Sequence, residues 1–319
     1  MNQSDIHLLD LPNEILIIIL KKLDNIDVLY SLFGINNERL DILVQDDVFI
    51  NILNFVKTSF IDSKLDRFCT VILPQKHYCV KKLILETTSL ERILLAGNYP
   101  NLTSLELFNF RQETVSRYFT NDLHNLKCFS LTSYRITFHY DSLVIPLLRR
   151  MKHLEKLALY LRLRKRYQFV VDGKHLYNEI LANMPQLHTF TFYMSTDNYI
   201  QHLDPLQSID DIQQAYTNIK YRQTTCIIDY FDWFKATFHI YSLPFTFTRL
   251  EDITSQFPTI GFCTVTYLSA SDVIPMEHEF FMGISRDFPM LKCFTLENRH
   301  KQEIHHDELK SDKNASYIT

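Results

Sequence analysis

The chain has 319 residues, 46% of them hydrophobic and 22% charged, with a formal net charge of −4 and only five glycines. That composition supports a sizeable packed core and excludes collagen-like, disordered and coiled-coil classes. It leaves no electrostatic footprint for nucleic acid as the principal partner. Glycines as far apart as Gly34, Gly97, Gly173, Gly261 and Gly283 build no phosphate-cradling loop.

The opening residues, MNQSDIHLLD, carry acids rather than a basic n-region, so a secretory signal is not expected. The longest apolar run, Ile15 to Leu20, lies between Glu14 and Lys21 and is far shorter than the roughly 20 residues of a membrane span. No membrane partner is expected, and the expected location is cytoplasmic or nuclear. Pro12 suits a helix start, Glu14 favours the positive helix end, and Ile15, Ile18, Ile19 and Leu23 recur at helical spacing. This predicts one helix from about Pro12 to Leu23. Asp24 or Asn25 can cap a second, from about Ile26 to Phe33 and ending near Gly34; Asn36 or Asn37 can cap a third.

After about residue 75 a loose repeat appears: VKKLILE from Val80, LTSLELF from Leu102, LKCFSLT from Leu126, LEKLALY from Leu154, LHTFTFY from Leu187 and LKCFTLE from Leu291. Each obeys apolar-x-x-apolar-x-apolar, whose last two apolar positions alternate with their neighbours as in a half-buried strand. Val265, Leu268 and Ala270 give a weaker seventh copy. Between copies lie helix-like stretches: SLERILLAGN ending at Gly97, RQETVSRYF, SLVIPLLRRM, KHLYNEILANM and MEHEFFMGISRDF. Copies spaced 22, 24, 28 and 33 residues apart from Val80 to Leu187 predict a leucine-rich-repeat solenoid, α/β in class and irregular in arc. Such units must stack, because one alone cannot bury its apolar face.

Residues 194 to 260 break the pattern. TTCIIDYF and WFKATFHIYSL, rich in aromatic and β-branched residues, predict an inserted hairpin at about 222–245 with a tight turn near Asp232. Residues 301–319 read as a polar tail.

Catalytic and metal signatures are weak. Six cysteines without any C-x-x-C pair argue against a zinc site or a disulfide framework. His305 to Glu308, HHDE, sits in the charged tail, and the His278–Glu279 pair lacks the second histidine of H-E-x-x-H. No G-x-S-x-G elbow occurs. The expectation is a protein without enzymatic activity, metal or cofactor.

With Leu11, Pro12, Glu14, Ile15, Ile19, Leu20, Leu23, Asp27, Val28, Leu32, Ile35 and Arg39 in place, residues 11 to 40 resemble an F-box. The whole chain is similar to F-box proteins with divergent leucine-rich repeats, in which IYSLP, here Ile240 to Pro244, and EHEFF, here Glu277 to Phe281, recur near the C-terminal end. The resemblance implies an F-box-like helical module over residues 1–50 and a repeat domain over 51–300. It further implies a substrate receptor of a cullin-based SCF-type ubiquitin ligase, docking on a Skp-type adaptor and through it on the cullin scaffold. The alternative is a repeat scaffold with no link to ubiquitination.

Burying surplus apolar side chains on a partner yields about 25 cal/mol per Å² removed from water. Leu11, Pro12, Ile15, Ile19, Val28 and Leu29 are the candidate adaptor contacts, with the alternative that several form the internal core of the helices. On the repeats, the positions flanking the strand apolars are the candidates for binding a target protein: Glu106, Lys156 and the aligned aromatics Phe108, Tyr160 and Tyr193. The alternative for the aromatics is packing beneath the hairpin.

Overall fold

A computed structural model describes residues 8–56, 62–110, 117, 125–164, 171, 173–199, 223–231, 235–257, 261–272, 274 and 276–298. The predicted turn near Asp232, nearly all of RQETVSRYF and the tail with its HHDE run lie outside them. The class is mixed α/β, and the chain divides into two compact units: residues 1–228 with 234–246, and residues 229–233 with 247–319.

The first unit opens with a 3-10 turn, Leu8–Asp10, and helix α1, Asn13–Leu20. Pro12 stands just before the helix in an extended conformation. α1 stops three residues earlier than its apolar spacing suggests, because Lys22 and Leu23 donate their N–H groups to Ile19 and Leu20 in a tightened last turn. Asp24 caps α2, Asn25–Leu32, by accepting from the Ile26 N–H at 3.3 Å. Gly34 takes the left-handed φ of 70° that ends this hairpin. Asn37 caps α3, Glu38–Val44, accepting from the Leu40 N–H at 3.1 Å. A further helix, α4, Asp47–Ile50, was not expected; Asp46 caps it.

Six strands then pair in parallel and in chain order: β1, Ile52–Asn54; β2, Lys82–Glu86; β3, Ser104–Phe108; β4, Cys128–Thr137; β5, Lys156–Leu163; and β6, Thr189–Tyr199. The repeat fixes their register. Leu83, Leu105, Phe129, Leu157 and Phe190 lie side by side across β2 to β6, as do Leu85, Leu107, Leu131, Leu159 and Phe192. All ten are buried in one core cluster. β1 obeys the same rule through Ile50, Leu53 and Phe55, an eighth copy overlooked in the sequence. The hairpin strands are β7, Thr224–Tyr230, and β8, Lys235–Ser242. β8 runs antiparallel to β6 and β7 follows it, so they extend and end the eight-stranded sheet.

Connecting segments include α5, Asp62–Arg67, which passes through a π-helical turn into α6, Leu73–Lys76; α7, Thr87–Leu95; α8, Ile145–Arg149; and α9, Gly173–Glu179. Gly97 was expected as the stop of α7. A close approach sets its identity: a Cβ there would sit 2.4 Å from the His77 Cβ, too near the backbone for a rotamer change to relieve. Gly97→Ala is therefore expected to cost about 1–3 kcal/mol through overpacking, read as a lowered melting temperature.

In the second unit β9, Arg249–Ile253, β10, Tyr267–Asp272, and β11, Cys293–Asn298, form a parallel sheet in the order β11-β10-β9, with helix α10, His278–Asp287, preceding β11. β10 and β11 are the last two copies of the repeat. A bulge near Asp252, whose φ is 53°, shifts β9 against β10. Phe262 stacks on Phe288 with centroids 5.1 Å apart. Asp229 accepts from the Thr254 backbone N–H at 2.8 Å and from its hydroxyl, and Asp272 accepts from the Ser255 N–H at 2.9 Å.

Candidate functional site

Helix α1 reads NEILIIIL, apolar on every side beyond its first turn, so only part of it can face the interior. Leu16 and Leu20, one turn apart, are its buried residues; Leu16 packs with Leu40 and Leu43 of α3 in a small cluster that Leu11, Ile17 and Leu32 flank. The opposite stripe, Ile15, Ile18, Ile19 and the following Leu23, is 42%, 56%, 39% and 55% exposed. These four residues revealed the helix by their spacing, and they point outward. Ten of the twenty-one exposed large apolar residues among those described fall between Leu8 and Ile52, which makes this segment the main apolar surface of the first unit.

The segment leading into α1 is held in place. The Arg39 guanidinium, from α3, donates to Asn13 Oδ1 at 2.7 Å and to the carbonyls of Leu9 and Leu11. Leu8, Leu9 and Pro12 are exposed beside the stripe. Of the expected adaptor contacts, Pro12, Ile15 and Ile19 are thus open, and Leu11 is half-buried against the small cluster. Val28 and Leu29 are corrections. They are 1% and 0% exposed and belong to the main core with Val44, Phe49 and Leu53, so α2 is spent on the chain's own interior. Ile18 and Leu23, absent from the expected set, are exposed apolar residues on the same stripe.

The second candidate surface is the face of the large sheet opposite the leucine rows. Glu86, Phe108, Thr132, Tyr160, Tyr193 and Tyr241 align in register from β2 to β8, as the repeat alignment anticipated for Phe108, Tyr160 and Tyr193. Their exposure differs along the row. Tyr160 and Tyr193 are fully buried, which removes them as target contacts. The β4–β5 register passes from Ser133 to Ile136, so Tyr134 and Arg135 form a bulge; the Tyr134 carbonyl accepts from the Arg162 guanidinium of β5 at 2.8 Å, its ring packs on Tyr160 at 5.2 Å, and Tyr160 stacks on Tyr193 at 4.5 Å. Tyr193 in turn meets the edge of Phe245 at 5.9 Å. The Tyr193 hydroxyl and His239 Nδ1, both buried, lie 2.8 Å apart.

Three expected target contacts stay accessible. Phe108 is half-buried against Tyr134 at 6.3 Å, Glu106 pairs with Lys82 at 2.5 Å, and Lys156 is exposed. Further along β4, past the Phe108–Thr132 pair, the bulge turns Arg135 to solvent, in a cavity of about 410 Å³ lined by Thr87, Asn109, Thr137 and His139 among others. No repeat position marks Arg135, because the bulge breaks the period there. Among the described residues, no group of three or more His, Cys, Asp or Glu side chains could hold a metal ion, and no helix is long and apolar enough to cross a membrane.

Comparison of the whole sequence with known protein families and with curated proteins finds no match to either.

Proposed function

We propose that the chain is the non-catalytic substrate-recognition subunit of an SCF-type ubiquitin ligase, its N-terminal helices docking on a Skp-type adaptor and its sheet domain holding a target protein. The observation that carries the reading is the outward stripe Ile15, Ile18, Ile19 and Leu23, set within the segment that resembles an F-box. Three large apolar side chains on a clamped helix, with Leu23 just after it, form a binding face with little ordering left to cost it. Strands β1 to β6, parallel, in chain order and alternating with helical segments where these are described, support a divergent leucine-rich-repeat solenoid. On this reading Phe108, Glu106, Lys156 and the Arg135 cavity face the target, and the protein works in the cytoplasm or nucleus.

A repeat scaffold unconnected to ubiquitination is the second reading, favoured by one finding: Val28 and Leu29 serve the internal core. Purified adaptor separates the two. The receptor is expected to form a stoichiometric complex with a Skp-type protein on gel filtration, and absence of any complex would leave the scaffold reading. Deleting residues 1–50 is the wrong control, since Phe49, Ile50 and Val44 sit in the core shared with the sheet. Point substitutions on α1 are the appropriate ones.

A further inference from the structure

The three-stranded sheet of the second unit has two unlike edges. On β9, Leu250, Glu251 and Ile253 are buried. On β11, Cys293, Thr295, Leu296 and Glu297 are exposed, and Leu296 is 45% open where its register partner on β10, Ala270, is 0%. Edge strands are ordinarily protected by Lys, Pro or a bulge. Cys293–Asn298 contains no Lys, Pro or Gly, and its six-residue register with β10 is unbroken. The Cys293 N–H donates to the Thr266 carbonyl at 3.0 Å, on the β10 side. Strand alternation then turns the N–H and C=O of Phe294 and Leu296 away from β10.

We propose that β11 pairs antiparallel with β11 of a second copy of this chain, about a twofold axis at Thr295. The strand is self-complementary in that register. Phe294 meets Leu296 of the second copy and exchanges both backbone hydrogen bonds with it, and Leu296 meets that copy's Phe294 in the same way. Thr295 meets its own equivalent in a non-hydrogen-bonded pair. Phe294 and Leu296 share a face with Leu268 and Ala270, so the apolar layer of one sheet runs on into that of the other and covers the exposed Leu296. Phe281, 40% exposed and edge-on to Phe294 at 6.4 Å, extends the same surface. Glu297 meets Cys293, so no like charges oppose. The sequence after Asn298 is a poorer occupant: residues 299–319 carry eight charged side chains and no alternating apolar pattern.

Sedimentation velocity over a concentration series tests this on the full chain. A concentration-dependent dimer is expected, and Leu296→Lys is expected to weaken it about tenfold or more while leaving the melting temperature of the dilute, monomeric protein unchanged, since the position is exposed. In a background with Cys263 and Cys293 changed to Ser, Thr295→Cys is expected to form a disulfide-linked dimer on mild oxidation. The Cα separation of such a pair, about 4.5 Å, lies within disulfide reach. A chain ending at Asn298 is expected to dimerise as well as the whole protein. A monomer at every concentration, a dimer indifferent to Leu296→Lys, failure of Thr295→Cys to cross-link, or dimerisation only after residues 299–319 are removed would each overturn the proposal.

Discussion

Ile15→Asp combined with Ile19→Asp is expected to leave the fold intact and to weaken binding of a Skp-type adaptor by at least about 100-fold, as read by calorimetric titration. Both residues are about 40% exposed on the outward stripe of α1, so folding buries little of what the substitution changes. Exposed positions of this kind usually shift stability by no more than about 0.5 kcal/mol. Docking is where the loss appears. Covering the open part of each isoleucine contributes roughly 1 kcal/mol, and two carboxylates forced into an apolar interface add a desolvation cost of at least similar size. The comparison variant is Leu29→Ala. Leu29 is 0% exposed, so its truncation is expected to cost about 2–5 kcal/mol of stability whether or not an adaptor is present. If the double aspartate variant binds the adaptor as the parent does, the docking reading of α1 fails.

What the sequence disclosed, and what it withheld, divides along physical lines. Strand positions were legible because the repeat sets which side chains enter the core. Val80, Leu83 and Leu85 have exact counterparts at Leu102, Leu105 and Leu107, and the sheet register follows those counterparts residue for residue. β9 escaped notice because its bulge spaces Leu250 and Ile253 three apart instead of two. The helices at the N-terminus were legible from their caps, Asp24 and Asn37. Which side of α1 faces inward was not, since ILIIIL offers the same hydrophobicity all round. Only the positions of Leu40 and Leu43 on α3 decide that Leu16 turns in and Ile15, Ile18 and Ile19 turn out.

The aromatic row shows the same limit. Alignment put Phe108, Tyr160 and Tyr193 in one row, correctly. Burial depends on residues far away in the chain: Phe245 lies fifty-two positions beyond Tyr193, and Tyr134 reaches Tyr160 only because a bulge carries it out of the β4–β5 ladder. Local periodicity has no access to either.

Acidification is expected to weaken the first unit, with His239 as the main cause. Its ring is fully buried, and burial, helped by the nearby Arg162 charge and opposed by Asp197, pushes its pKa from the ordinary 6.5 down to about 3. Between those values the unfolded chain takes up a proton at this position and the folded chain does not, so stability falls as pH drops. By pH 5 the penalty reaches about 2 kcal/mol, at 1.36 kcal/mol per pH unit. His239→Asn keeps an acceptor for the Tyr193 hydroxyl and removes the titrating group. The variant is expected to melt lower at pH 7, because the smaller side chain packs less well, but to lose less than the parent between pH 7 and pH 5. Asp229, in the second unit, works the other way. Burial, with the Asp272 charge adding to it, outweighs the Thr254 hydrogen bonds and raises its carboxyl from 3.8 to about 6. Its contribution is full below about pH 4 and is lost as pH rises through 6. The two groups therefore shift their units in opposite directions on acidification, and Asp229→Asn is expected to flatten only the second. Scanning calorimetry of parent and His239→Asn at pH 7 and pH 5 decides the matter: equal pH shifts in the two proteins would exclude His239 as the source.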